Sequence, residues 1–357
     1  MLAAAPASAH TVSGGSANDY TATLGPLTPA VAGVTLRTVE NNTRLQLTVA
    51  AGMHVVVLGY GEEPYLRVGP DGTFENRLSQ STYENRTYTA TQIGGTPDAK
   101  SFPPQWVRTG GGRILIWHDH REHNSGPNPP EVRADPSHRH EIGTRDVVIE
   151  VEGARHTAAL TLTYLPPPRA LPLWVLAGLL AVGTTALALL PRSFRLVGVV
   201  VAGLVACDVV HSVGIGLVKA GTTGERLSAF ASGNAAEAVA WALGLIGAGL
   251  VARGRLAGCY CAGTAAAVIA AVGGLGDAAT LSSATAPFAG PVWWARLLTA
   301  VTIGVGVGVL GASAVGVVRL DRAERAALAQ HALAGEPVSG KPVSQEGSAA
   351  SPATPST

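Results

Sequence analysis

The sequence predicts a mixed fold: an extracytoplasmic all-β sandwich followed by an all-α bundle of five transmembrane helices. Three observations carry that expectation. Short β-branched runs, separated by Gly, Asn and Pro, fill the first half of the chain. Long apolar runs rich in Ala, Gly, Val and Leu fill the second half, up to residue 320. The polar residues divide the same way, with most Asp, Glu and Asn before Pro166.

Composition supports the division. The chain has 357 residues, net charge +1, 14% charged residues and mean hydropathy +0.27. That excludes a broadly basic nucleic-acid binder and a highly charged soluble protein. The three cysteines, Cys207, Cys259 and Cys261, all fall in apolar runs. The first half therefore contains no disulfide, and the thiols read as small packing residues.

Residues 1–9, MLAAAPASA, are expected to be the remnant of a signal peptide. Ala7-Ser8-Ala9 has the small-x-small pattern of a cleavage site. Cleavage there makes His10 the first residue of the exported domain, which spans 10–165. Strands are expected at Val34 to Val39, Arg44 to Ala50, His54 to Tyr60, Tyr83 to Tyr88, Arg113 to Trp117, Arg145 to Val151 and His156 to Tyr164. Glu63 to Gly72 reads as a hairpin turning at Gly69-Pro70-Asp71-Gly72. Pro166-Pro167-Pro168 ends the last strand and opens a stiff spacer, 166–170.

Two segments are more specific than sandwich loops require. One is Glu63-Pro64-Tyr65-Leu66-Arg67-Val68-Gly69-Pro70, and the other is Trp117-His118-Asp119-His120-Arg121-Glu122-His123. On these motifs the chain resembles a family of uncharacterised actinobacterial membrane proteins with an exported domain and several spans. That resemblance implies a layout and no chemistry. The layout is also similar to that of CopC/CopD-type copper-handling proteins, which implies a mature N-terminal histidine, a small β-sandwich and membrane spans. Met53 is the only methionine after Met1, so the methionine-rich Cu(I) segment of some such carriers has no counterpart.

The histidines suggest what the exported domain binds. His118 and His120 lie two apart, so a strand projects them from one face. His123 follows at the strand end. Imidazoles so placed suit copper first and zinc second. His10 adds an α-amine and a ring nitrogen, a T-shaped set that suits Cu(II) once a further His joins. Asp119 and Glu122 are ligands or partners that hold the rings. The expected metal set is His10, His118, His120, His123 and Asp119. The competing reading is a structural corner, with Arg121 paired to Asp119 or Glu122 and Trp117 filling the core.

Five spans are expected at Leu171 to Leu190, Leu196 to Val218, Phe230 to Val251, Leu256 to Ala278 and Val292 to Val318, within a membrane domain of 171–320. Arg192, Arg195, Arg253, Arg255, Arg319, Arg322 and Arg325 fall at one set of ends, and only Lys219, Arg226 and Arg296 at the other. The positive-inside rule then places the first domain outside the plasma membrane and the tail, 321–357, in the cytoplasm. That tail reads as an amphipathic stretch followed by a disordered segment. Inside the spans stand Cys207, Asp208, His211, Glu237 and Asp277. Ionisable groups there face a bundle interior or a wet cavity.

No phosphate loop, dinucleotide fingerprint, nucleophile elbow or zinc-protease motif occurs. The chain is therefore not expected to be an enzyme. The expected function is metal handling at the cell envelope. Two alternatives stay open: a metal-free module that binds an envelope protein, and a small ion-coupled transporter. The expected partners are the lipid bilayer and either an envelope protein or further copies of this chain, with no nucleic acid.

Overall fold

The computed structural model describes residues 17–86, 94–124, 126–190 and 193–333, with residues 331–333 described by backbone alone. His10, the remnant 1–9 and the tail beyond 333 lie outside the described residues.

The first half folds as two antiparallel sheets. Its strands are β1 (Tyr20–Leu24), β2 (Val34–Val39), β3 (Arg44–Val49), β4 (Val55–Leu58), β5 (Pro64–Gly69), β6 (Gly72–Asn76), β7 (Trp106–Gly110), β8 (Ile114–Trp117), β9 (His140–Val151) and β10 (Ala154–Tyr164). The larger sheet runs β1-β10-β9-β4-β5-β6-β7 and the smaller β2-β3-β8. Alternating apolar residues from both sheets bury each other: Leu45, Leu47 and Trp117 from one, Val55, Val57, Val68 and Ile149 from the other. The β9–β10 turn uses Glu152 (φ 48°) and Gly153 (φ 82°), the pair of left-handed residues that a tight hairpin turn demands. The expected β5–β6 hairpin is present, with Gly69 paired to Gly72.

One expected strand is a helix instead. Gln80–Glu84 forms α1 where the β-propensity of Tyr83 to Tyr88 suggested a strand; residues 87–88 lie outside the described set. Local hydrogen bonding overrides propensity here. Thr82 Oγ1 donates to Asn76 O at 2.7 Å, and Ser81 Oγ donates to the buried Glu63 carboxylate at 2.8 Å. A second short helix, α2, spans Pro130–Ala134.

The second half is helical: α3 (Leu171–Leu187), α4 (Phe194–Val218), α5 (Thr223–Gly233), α6 (Ala235–Ala252), α7 (Leu256–Val268) and α8 (Val292–Leu333). A π-helical turn, Ile269–Gly274, and a 3-10 stretch, Leu275–Leu281, prolong α7. Among the described residues four helices are long and apolar enough to cross a bilayer: Phe194–Val218, Ala235–Ala252, Leu256–Leu281 and Val292–Gln330. Length and composition thus suit this half to a lipid bilayer. The count corrects the expected five. The first expected span yields only the 17-residue α3, about 26 Å at 1.5 Å per residue. The third is cut at Asn234, and the residues before it form α5, which buries no side chain.

Small residues let α8 pack closely on α3. A Cβ added at Gly304 would lie 2.4 Å from Ala177 O, and one at Gly308 would lie 2.5 Å from Thr184 Cβ. The β half rests on one end of this bundle. Asn18 pairs with Thr285 as an isolated antiparallel bridge. Asp19 Oδ1 accepts from Ala284 N at 2.8 Å, and Glu40 Oε1 accepts from Ala220 N at 3.1 Å.

Candidate metal centre

The Trp117–His123 segment leaves β8 and turns at once. Asp119 is extended, and His120–Glu122 forms a single 3-10 turn capped by Asp119, whose side chain accepts from Arg121 N at 3.0 Å. Asp119 is completely buried. Its two oxygens also take Arg121 Nε at 2.8 Å, Arg121 Nη2 at 2.7 Å and Trp117 Nε1 at 3.0 Å. Arg121 reaches on to Asp146 O at 2.8 Å, tying the turn to β9. Burial pushes the Asp119 carboxyl up, but the Arg121 charge and hydrogen bonds outweigh it, so its pKa lies below the usual carboxylate range.

This corner sends the three imidazoles to one place. The ring centroids of His118, His120 and His123 stand 5.2, 4.7 and 4.9 Å apart. One nitrogen from each ring lies within 4.8 Å of the others, the only such group of three among the described residues. Nitrogens sharing one ion stand about 3.3–4 Å apart, so side-chain movement of about 1 Å closes the set. Backbone carbonyls select the tautomers. His118 Nδ1 faces Thr43 O at 3.4 Å and His120 Nε2 faces Glu84 O at 2.8 Å. A carbonyl only accepts, so these nitrogens carry protons, and in the singly protonated rings the lone pairs lie on His118 Nε2 and His120 Nδ1. Burial, then the neighbouring His120, pushes the His118 pKa down to about 4. The ring is therefore neutral, the form that binds metal.

One of the expected metal residues is engaged elsewhere. Asp119 is not a ligand in this arrangement, because its carboxylate is committed to Arg121 and Trp117. His10 lies outside the described residues. Glu122 is buried, and among the described residues neither of its oxygens has a hydrogen-bond partner. Burial, with Asp119 beside it, pushes its pKa well above the usual carboxylate range. Both elements of the structural reading are present too: Arg121 pairs with Asp119, and Trp117 is in the core. Corner and cluster are successive layers of one turn.

Sequence reasoning missed the supports. Tyr60 Oη lies 3.2 Å from Asp119 Oδ1 and accepts from His120 N at 2.9 Å. Asn85 lies 3.3 Å from that same amide through Oδ1 and donates through Nδ2 to Tyr65 Oη at 3.1 Å. The two sequence motifs therefore meet at Asn85, a residue in neither. Thr43 belongs to the β2–β3 turn, in which Glu40, Asn41 and Asn42 have φ of 52°, 60° and 60°. Glu40 costs most in that left-handed form, and it is the residue that grips Ala220.

Hydrogen bonds engage polar residues expected inside the spans. His211 Nε2 meets Asp277 Oδ2 at 2.9 Å, with the Phe288 ring stacked 6.0 Å away. Asp208 Oδ2 accepts from Trp241 Nε1 at 2.7 Å, and its other oxygen occupies the space a side chain at Gly273 would need. Glu237 is completely buried. Cys207 turns away to α8, with Sγ 3.7 Å from Thr302 Oγ1.

No protein-family model, characterised protein or solved structure matches the chain.

Proposed function

We propose that this is a membrane protein whose exported β domain holds a transition-metal ion, copper before zinc, at His118, His120 and His123, for metal handling at the envelope. The convergence of three ring nitrogens within 4.8 Å carries the reading. Two features support it: the tautomers are set by backbone carbonyls, and His118 stays neutral. Copper and zinc both accept such an imidazole set. The positive-inside bias supports an outward β domain, and the resemblance to CopC/CopD-type layouts is consistent with copper.

Titration of the full-length chain in detergent with Cu(II) and Zn(II) tests this. One equivalent should bind, and His118→Ala or His120→Ala should weaken it by about 10- to 100-fold or more. Absence of stoichiometric binding, or binding unchanged in both variants, overturns it. The metal-free alternative predicts instead that the histidines only brace the corner, and that their loss lowers stability as much as loss of Asp119.

A further inference from the structure

A cavity of about 940 Å³ opens between the smaller sheet, the β5–β6 hairpin, α1 and the first turn of α5. That is the size of a small-molecule site. Its charge is lopsided. Arg37, Arg44, Arg86, Arg113 and Arg226 line it, against only Glu75 and Glu225. Both glutamates are engaged. Glu75 pairs with Arg86 at 2.8 Å, and Glu225 closes the α5 capping box on Thr222 at 2.7 Å. Arg37 donates to the neutral Gln46 at 3.3 Å. Arg44 is 3.7 Å from Glu40. Among the described residues Arg113 and Arg226 meet no carboxylate at all.

Arginines collected in a concave site, beyond what its carboxylates neutralise, focus a positive potential there. Guanidinium groups also match the paired oxygens of carboxylates and phosphates. We infer that this cavity is a binding site for a multivalent anion carrying clustered carboxylate or phosphate oxygens. Its walls come from both halves of the chain: Arg37, Arg44 and Arg113 from the smaller sheet and its β7–β8 turn, and Arg226 from α5. An anion seated there bridges the β domain to the helical half. His118 also lines the cavity, so the anion lies next to the imidazole cluster. The inference does not depend on a metal. The same oxygen chemistry comes from a soluble polycarboxylate or polyphosphate and from an anionic lipid headgroup at the bilayer surface.

The test uses the metal-free, full-length chain at about 0.15 M salt, where exposed charges more than about 8 Å apart are screened. Citrate and inorganic pyrophosphate are titrated in neutral detergent. Separately, lipid binding is compared in bilayer discs of phosphatidylglycerol and of phosphatidylcholine. Saturable citrate or pyrophosphate binding, weakened about tenfold or more by Arg113→Ala with Arg226→Ala, supports a soluble ligand. Selective phosphatidylglycerol binding with the same sensitivity, and silence from both soluble anions, supports a headgroup. Both arginines are exposed, so the double variant is expected to fold. Arg139→Ala, outside the lining, should change nothing. No saturable anion binding in either arm, or binding indifferent to the double variant, overturns the proposal. The chain is metal-free throughout, so the outcome is readable whether or not the imidazole cluster holds an ion.

Discussion

Arg121 Nη2 meets Asp119 Oδ2 at 2.7 Å, and both side chains are sealed from solvent. Removing one partner strands the other. Asp119→Ala should cost about 3–5 kcal/mol, the penalty for an uncompensated buried charge. Thermal melts in metal-free buffer measure it. His120→Ala removes the hydrogen bond to Glu84 O and leaves no buried charge behind, so it should cost less, about 0.5–1.5 kcal/mol for a bond of that kind. Equal losses in the two variants would mean that the histidines, too, are scaffold.

Glu63 gives a pH prediction. Burial raises its pKa, but hydrogen bonds from Ser79 and Ser81 outweigh that and hold it below the usual value of 4.5. A carboxyl depressed in the folded state stabilises the fold above its unfolded pKa. That stabilisation is lost as pH falls from about 4.5 through the folded value. Glu63→Gln should lower stability at pH 7 by about 1–3 kcal/mol, because its Nε2 cannot accept from Gly61 N, which donates to Oε2 at 2.9 Å, and the oxygen left to Ser79 and Ser81 is no longer charged. It should also flatten the acid limb of a stability-versus-pH curve; an unchanged limb would assign acid sensitivity to other groups.

Gly308→Leu should separate α8 from α3. Even a Cβ there would lie 2.5 Å from Thr184 Cβ and 2.8 Å from Ala181 O. Backbone cannot give way as a side-chain tip can, and close approach is what holds apolar helices together where lipid competes. Melts in detergent should show a large loss, whereas Gly203→Leu, at a glycine with open space around it, should be tolerated.

The His211–Asp277 contact at 2.9 Å separates structure from transport inside the helical half. As a structural bond alone, its double-mutant coupling, from His211→Ala and Asp277→Asn, should be about 0.6–1.7 kcal/mol, with no change in ion flux through liposomes. Flux abolished by either variant would favour the ion-coupled alternative.

Much of the fold could be read from the residues alone, because periodicity is a local property. Val34–Val39 and Arg44–Val49 alternate as strands should, and the apolar run Phe194–Val218 is long enough to cross a bilayer. Where local preference competes with a tertiary bond, the reading failed. Tyr83 has the propensity of a strand, yet its neighbours Ser81 and Thr82 are claimed by Glu63 and Asn76, and a helix forms. Phe230 belongs to an apolar run, yet its carbonyl accepts from Asn234 Nδ2 at 2.8 Å where that run breaks into two helices.

By itself, the sequence determined that a β half precedes an apolar helical half, and that three histidines cluster within six residues. It could not say which way those rings face. A strand of alternating residues was one answer. The structure chose another, because Asp119 turns inward to neutralise Arg121 and caps the 3-10 turn that swings His120 and His123 back toward His118. The carbonyls that select the tautomers, Thr43 O and Glu84 O, lie 75 and 36 residues away in the chain. The arginines of the cavity are equally scattered, from Arg37 to Arg226. Sites made from distant segments leave no local pattern, so only the packed chain brings them together.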